Sequence, residues 1–236
     1  TTEIYTLSLH DALPIYPGGR ALRCLHLIRH GEVVDDGAHR FIGRTDLPMS
    51  PSGIARIEAL AAIYRDAPPF DAIWCSDLLR SRRTAEILAD GRGIPIVVDP
   101  RLREIDMGGW EGLDRATVAT TRTAEYAARG RDILGYRAPG GESFADVSAR
   151  VLAAWQDIAA DGAARRIALA GHAGVNRLLL CHLLGLPATA LFRLAKHPGH
   201  VDLVEWPHGE PVLRLFDTGP AGLAEALAEG RPRPRV

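Results

Sequence analysis

Lysine is nearly absent: Lys196 is the only one among 28 Lys and Arg residues. Those 28 bases face 29 acids, for a formal net charge of −1. Proteins that hold nucleic acid or an anionic membrane surface carry a clear positive excess, so neither partner is expected. Cysteine is scarce too. Cys24, Cys75 and Cys181 are odd in number, lack metal-ligand spacing, and each sits in an apolar run. That excludes a disulfide scaffold and predicts buried, reduced thiols in a cytoplasmic protein. No apolar run reaches the ~20 residues that cross a bilayer, and no segment has the pattern of a secretory signal. The arginine excess, with heavy Ala and Gly usage, reads as GC-rich coding rather than as function.

There is no initiator Met. Residues 3–15 match the translation of a common sequencing adapter, so residues 1–15 are expected to be a library artefact. Residues 16–20 read as a Pro/Gly joint, 21–218 as one domain with a sizeable core, and 219–236 as a flexible tail. Without residues 1–15 the net charge becomes +1, which changes nothing above.

Apolar runs and turn residues alternate along the domain. Leu22–Ile28, Ala72–Cys75, Ile96–Val98 and Ile167–Ala170 read as strands, and Val201–Trp206 with Val212–Phe216 as a terminal strand pair. Ser50-Pro51 is an N-cap with Pro at N1 and opens a helix to about Arg65. Asp77 is placed to cap a helix over Leu78–Ala89. Ser143 and Asp146 resemble a capping box at the head of a helix to about Asp161, and Val175–Leu184 is a further helix. Strands alternating with helices predict a three-layer α/β fold, its sheet flanked by helices.

Four segments carry chemistry: Arg29-His30-Gly31-Glu32; Cys75-Ser76-Asp77-Leu78-Leu79-Arg80; Leu102-Arg103-Glu104 with Trp110-Glu111-Gly112; and Gly171-His172-Ala173-Gly174. Three of them stand just past predicted strands, where α/β folds gather their ligands. Gly31 is read as letting the backbone approach a ligand. In this order and spacing the segments resemble the histidine phosphatase superfamily, which includes the phosphoglycerate mutases. The resemblance spans nearly all of residues 21–216. It implies a mostly parallel, phosphoglycerate mutase-like sheet with one antiparallel edge strand, and a small helical cap inserted after Glu104.

It also implies a metal-independent phosphomonoesterase that needs no cofactor and acts through a phosphohistidine on a small-molecule phosphomonoester. Neutral imidazole can attack phosphorus, and by resemblance that nucleophile is His30. Arg29 and Arg80 would clamp the phosphate oxygens as planar forks. His172, protonated, would stabilise charge on the transferring group, with the Ala173 N–H beside it at a helix N-terminus. Glu104 would be the general acid and then the base. Arg44 and Thr45 are further phosphate-contact candidates. Arg82 and Arg83 read as surface charges, and Glu111 as part of a structural turn. Glu142 is a residue that could face the pocket. His197-Pro198-x-His200 has no carboxylate or thiol nearby in sequence and reads as a surface loop.

The chain departs from the family pattern after Glu32. Val33 and Asp36 stand where many members carry Thr and Asn, and an acid there would repel phosphate, so Asp36 is left out of the site. The segment between Glu104 and His172 is short and lacks a dense basic cluster, which favours hydrolysis over mutase activity. The stretches from Arg40, Pro139 and His172 resemble α-ribazole phosphatases of cobalamin biosynthesis. A broad sugar-phosphate or nucleotide phosphatase, a phosphoglycerate mutase, and an inactive phosphate-binding domain are the alternatives. Oligomeric state is not legible.

Overall fold

The computed structural model describes residues 24–34, 39–160, 164–207 and 209–228. The adapter-like segment, the joint and Asp36 lie outside the described residues. Six strands form one sheet in the order β3-β2-β4-β1-β5-β6. They are β1 (Cys24–Arg29), β2 (Ala72–Cys75), β3 (Ile96–Val98), β4 (Arg166–Gly171), β5 (Val201–Glu205) and β6 (Val212–Thr218). The first four run parallel, while β5 is antiparallel to both its neighbours, β1 and β6. The single opposed strand is therefore internal, with β6 outside it, and not at the edge as expected.

β1 and β4 sit at the centre of the sheet, covered on both faces, which is why each reads as a nearly continuous apolar run. Alternate residues serve opposite faces. Leu25, Leu27, Ile167 and Leu169 pack under α5 (Phe144–Ala160) and α6 (Ala173–Leu183). Ile28, Ile73, Ala168 and Ala170 pack under α1 (Pro51–Arg65), α2 (Leu79–Ala89) and α7 (Pro220–Ala228). The three free cysteines are all buried, as their apolar settings predicted.

Register then decides where chemistry can gather. Arg29 pairs with Gly171, and Cys75 with Ala170. The residues that follow these strand ends, His30, His172 and Ser76, are thereby brought side by side at the carboxyl edge of the sheet.

Helix starts follow the sequence with one exception. The Ser50 hydroxyl accepts from the Gly53 N–H at 3.1 Å. Ser143 and Asp146 form a reciprocal capping box. Asp77, however, does not cap α2. Its carboxylate is held by Arg103, and Asp46 takes over, accepting from the Leu79 N–H at 2.7 Å. A partner 33 residues away is invisible to local capping rules. The tail expectation is also corrected. Residues 220–228 form α7, and Leu223 is fully buried among the α1 side of the core. One apolar anchor outweighs the turn-like composition around it.

After Glu104 the chain leaves the sheet as expected and builds a small cap from α3 (Arg115–Thr121) and α4 (Thr123–Arg131). Fully buried Trp110 stands at its base. Its ring packs near Phe41, Tyr126 and Tyr136, and its N–H donates to Glu125 at 3.1 Å.

Candidate active site

A cavity of about 420 Å³ opens at the carboxyl edge, beneath the cap, within the size range of small-molecule sites. Arg29, His30, Arg80, Glu104 and Ala173 all line it. His172 lies behind, fully buried, its ring 5.2 Å from that of His30.

His30 Nδ1 is 2.7 Å from the Gly31 carbonyl oxygen. A carbonyl only accepts, so Nδ1 carries the proton and Nε2 keeps its lone pair. Burial, with Arg29 and Arg80 nearby, holds the His30 pKa well below the usual histidine value. The ring is therefore neutral, with its nucleophilic nitrogen fixed at Nε2.

Burial works against the protonated His172 that the resemblance implies. Burial first, then Arg80, His30 and Arg29, hold its pKa far down as well. An imidazolium there would be a third buried cation beside two guanidiniums, at a desolvation cost that local sequence does not express. Ser76 Oγ lies 2.8 Å from His172 Nε2, while Nδ1 has no partner among the described residues. If the hydroxyl donates to Nε2, the ring proton sits on Nδ1. Ser76 is a site residue beyond those that the motifs named. Its signal was its place directly after a strand, matching His30 and His172.

Arg80 is almost fully buried and donates to the carbonyls of Thr45, at 2.8 Å, and Gly43, at 2.6 Å. Arg29 donates to the Lys196 carbonyl. Both forks are oriented by carbonyl oxygens, and each has a buried Nε without a partner among the described residues. Burial lowers both pKa values, that of Arg29 to about 10. Each remains a cation near neutral pH.

Arg44 and Thr45 do not line the cavity. The Thr45 hydroxyl donates to Glu111, and Arg44 pairs with Glu142 and Asp106. The Glu111 carboxylate also accepts from the backbone N–H groups of Gly43, Arg44, Thr45 and Met107. Glu111 is thus the hub of its turn, fixing the loop whose carbonyls hold Arg80. The 43–45 segment acts on the site through Arg80. Glu142 does not face the cavity either; its carboxylate is taken up by Arg44 and Arg150. Arg82 and Arg83 are exposed, as expected.

Glu104 is buried against the first turn of α6. Its Oε2 accepts from the Gly174 N–H at 2.9 Å, and its Oε1 from the Ile105 N–H at 3.0 Å. The Ala173 N–H opens the same helix, where no intrahelical acceptor exists for it.

Gly31 has a different purpose from the one its motif suggested. A Cβ there would stand 2.3 Å from the Gly53 carbonyl oxygen, and a Cβ at Gly53 would meet the Glu32 oxygen at 2.2 Å. The two glycines let the loop after β1 lie directly on α1. They serve packing, which in turn locates His30.

The loop reading of residues 197–200 lacked one partner. Asp217, at the end of β6, brings its carboxylate to the His197 and His200 rings. These three groups lie within 4.8 Å of one another, a spacing that could hold a metal ion. Asp217 also accepts from the His197 backbone N–H at 2.8 Å, so the cluster clasps the loop that backs Arg29.

The cavity wall holds residues that the sequence reading passed over: Arg115, Arg129 and Arg177, with Phe41, Phe144 and Phe192. Among the described residues no helix is long and apolar enough to cross a membrane.

A helix-flanked sheet that gathers a neutral, tautomer-fixed histidine, two carbonyl-oriented arginines and a buried carboxylate defines a protein built to receive a phosphoryl group. The sequence pattern of the histidine phosphatase superfamily (branch 1) matches residues 25–218, and the chain belongs to that superfamily. It is 29% identical to the adenosylcobalamin/alpha-ribazole phosphatase of Salmonella typhimurium over 194 residues, covering 82% of this chain and 96% of that one. It is 36% identical to the "Probable phosphoglycerate mutase GpmB" of Yersinia pestis over 172 residues, covering 72% and 79%. The crystal structure of the alpha-ribazole phosphatase from Shigella flexneri superposes with a TM-score of 0.77 at 26% identity, covering 83% of this chain and 96% of that one.

Proposed function

We propose that the chain is a cytoplasmic phosphomonoesterase that transfers the phosphoryl group of a small metabolite to His30 and then to water. The observation that carries this reading is the His30 tautomer: a neutral ring with its proton held by the Gly31 carbonyl, beside two arginines. In the first step His30 Nε2 attacks phosphorus as the P–O ester bond breaks. Glu104 gives its proton to the departing alkoxide. Arg29, Arg80, the His172 ring and the Ala173 N–H stabilise the equatorial oxygens. In the second step Glu104 takes a proton from water, whose oxygen attacks phosphorus as the P–N bond breaks. Three buried free thiols support the cytoplasmic location.

Kinship to two alpha-ribazole phosphatases makes α-ribazole 5′-phosphate the first substrate to assay. The test is phosphate release from it beside sugar phosphates, nucleotides and 3-phosphoglycerate, with His30→Ala as the blank. A 32P label on His30 of the wild-type protein, absent from His30→Ala, is expected. No label and no turnover would leave a phosphate-binding domain. The relative named as a phosphoglycerate mutase favours a second reading, which predicts 2-phosphoglycerate from 3-phosphoglycerate with the bisphosphate cofactor. Release of inorganic phosphate alone would remove it.

A further inference from the structure

One side-chain cluster stands apart from the cavity. His197 and His200 lie on the loop before β5, and Asp217 lies near the end of β6. None of the three lines the cavity. They meet because β6 folds back beside β5, which sets Val201 opposite Thr218. Both imidazoles turn Nδ1 toward Asp217. His197 Nδ1 is 2.5 Å from Oδ2, and His200 Nδ1 is 3.4 Å from Oδ1 and 2.7 Å from the Asp217 carbonyl oxygen.

Two imidazole nitrogens and a carboxylate, converging from separate segments, are a donor set suited to zinc. Ligand atoms about 2.1 Å from a tetrahedral ion stand about 3.4 Å apart, and His200 Nδ1 and Asp217 Oδ1 already have that spacing. The His197 ring would have to retreat by about 1 Å to match, and with its side chain 65% exposed it has room to do so. Asp217 is the fixed point. Its side chain is only 8% exposed, and its N–H donates to Asp202 Oδ1 at 2.8 Å. Its φ of 46° is a left-handed value uncommon outside glycine. Among the described residues its carboxylate has the two imidazoles as ion-pair partners and no lysine or arginine; Lys196 is taken by Asp202. Two neutral rings and one carboxylate leave a negative charge where the three converge. One neighbour opposes an ion. The Arg56 guanidinium is 3.5 Å from His200 Nε2. An ion on Nδ1 leaves the ring proton on Nε2, so exposed Arg56 would have to turn away into water.

We propose that His197, His200 and Asp217 form a zinc site, with the Asp217 carbonyl oxygen or a water as fourth ligand. Its role is structural. Arg29 donates its side chain to the Lys196 carbonyl and its backbone N–H to the His200 carbonyl, while the Gly199 N–H donates to the carbonyls of Arg29 and His30 at 3.1 and 3.0 Å. An ion that ties this loop to β6 thereby fixes the backbone of the clamp arginine and of the nucleophile. No step of the phosphoryl transfer passes through it, so the site stands or falls separately from the phosphohydrolase reading.

The test uses the full chain after chelator treatment and dialysis. Zn²⁺ is titrated by calorimetry, and Co²⁺ by visible absorption as a reporter of coordination. One ion should bind with a dissociation constant in the micromolar range or below. Loss of a ligand should weaken it at least about tenfold, since even outer-shell substitutions cost that much. Asp217→Asn and His197→Ala are both expected to do so, and exposed His197→Ala covers the case in which the buried substitution unfolds the protein. Arg56→Gln, whose amide oxygen can accept from the Nε2–H, should tighten binding. Zinc should also slow amide hydrogen exchange over residues 196–200 in wild type and not in His197→Ala. Absence of micromolar binding, or an affinity that is the same in wild type and His197→Ala, would overturn the site. Exchange over the loop that zinc leaves unchanged would overturn its structural role.

Discussion

Glu104→Gln separates proton donation from every other contribution of this carboxylate. The side chain keeps its volume but loses the proton it must deliver and one of its two acceptor oxygens. In the wild-type protein both oxygens accept backbone N–H groups, from Gly174 and Ile105. An amide can satisfy only one of these, leaving an NH₂ against an N–H, at a cost of about 1–3 kcal/mol for the buried mismatch. That cost falls on the enzyme whatever the substrate. The loss of general-acid catalysis depends on the leaving group. It should be about 10²–10⁴-fold for an alkyl phosphate, whose alkoxide cannot depart unprotonated, equivalent to about 3–5 kcal/mol of barrier. For p-nitrophenyl phosphate, whose phenolate departs readily without a proton, the loss should stay within about tenfold. Initial rates of phosphate release from a sugar phosphate and of p-nitrophenol release, each for wild type and Glu104→Gln, give the two ratios. Equal loss on both substrates would mean that Glu104 acts by holding α6 in place, and that the proton comes from elsewhere.

Three further outcomes follow from the same geometry. Folded His30 and His172 have depressed pKa values, so below about pH 6.5 the unfolded chain binds more protons than the folded one. Stability should be full above that pH and fall beneath it, by up to about 1.4 kcal/mol per pH unit for each histidine; urea midpoints that do not move between pH 7.5 and 5.5 would contradict this. Gly53→Ala should destabilise despite the ~1 kcal/mol advantage of Ala over Gly inside a helix, because its Cβ would stand 2.2 Å from the Glu32 carbonyl oxygen; a raised midpoint in urea would show that the loop yields. Ser76→Ala should lower kcat at least about tenfold while p-nitrophenyl phosphate KM changes less, since it frees the His172 tautomer; an unchanged kcat would remove Ser76 from the site.

The parts of the fold that were legible in the sequence are those decided locally. Ser50-Pro51 and the Ser143–Asp146 box set helix starts through residues three apart, and the central strands advertised themselves as apolar runs. His30, Arg29, Arg80, Glu104 and His172 were legible through their motifs, and four of the five line the cavity while the fifth backs it. What failed depended on distant partners. Asp77 lost its cap role to Asp46 because Arg103 claims its carboxylate. Thr45 faces Glu111 rather than phosphate, and Asp217 joins His197 and His200 only once β6 has folded back beside β5. The protonation of His172 is a matter of burial beside two other cations, which no spacing encodes.

Arginine shows where composition stops. Genome bias accounts for how many there are, yet Arg29 and Arg80 differ from Arg103 and Arg150 in the oxygens that hold them. Arg103 and Arg150 meet carboxylates, so their charge is spent in the frame. Arg29 and Arg80 meet carbonyls, which align the fork through its N–H groups and carry no formal charge to offset it. A neutral acceptor gives orientation without neutralisation, and that is the state an anion site needs before its anion arrives. Replacing such a carbonyl partner by a carboxylate would keep the geometry and remove the attraction for phosphate. The distinction lies in the partner and not in the arginine, which is why one residue type builds the frame in one place and the site in another.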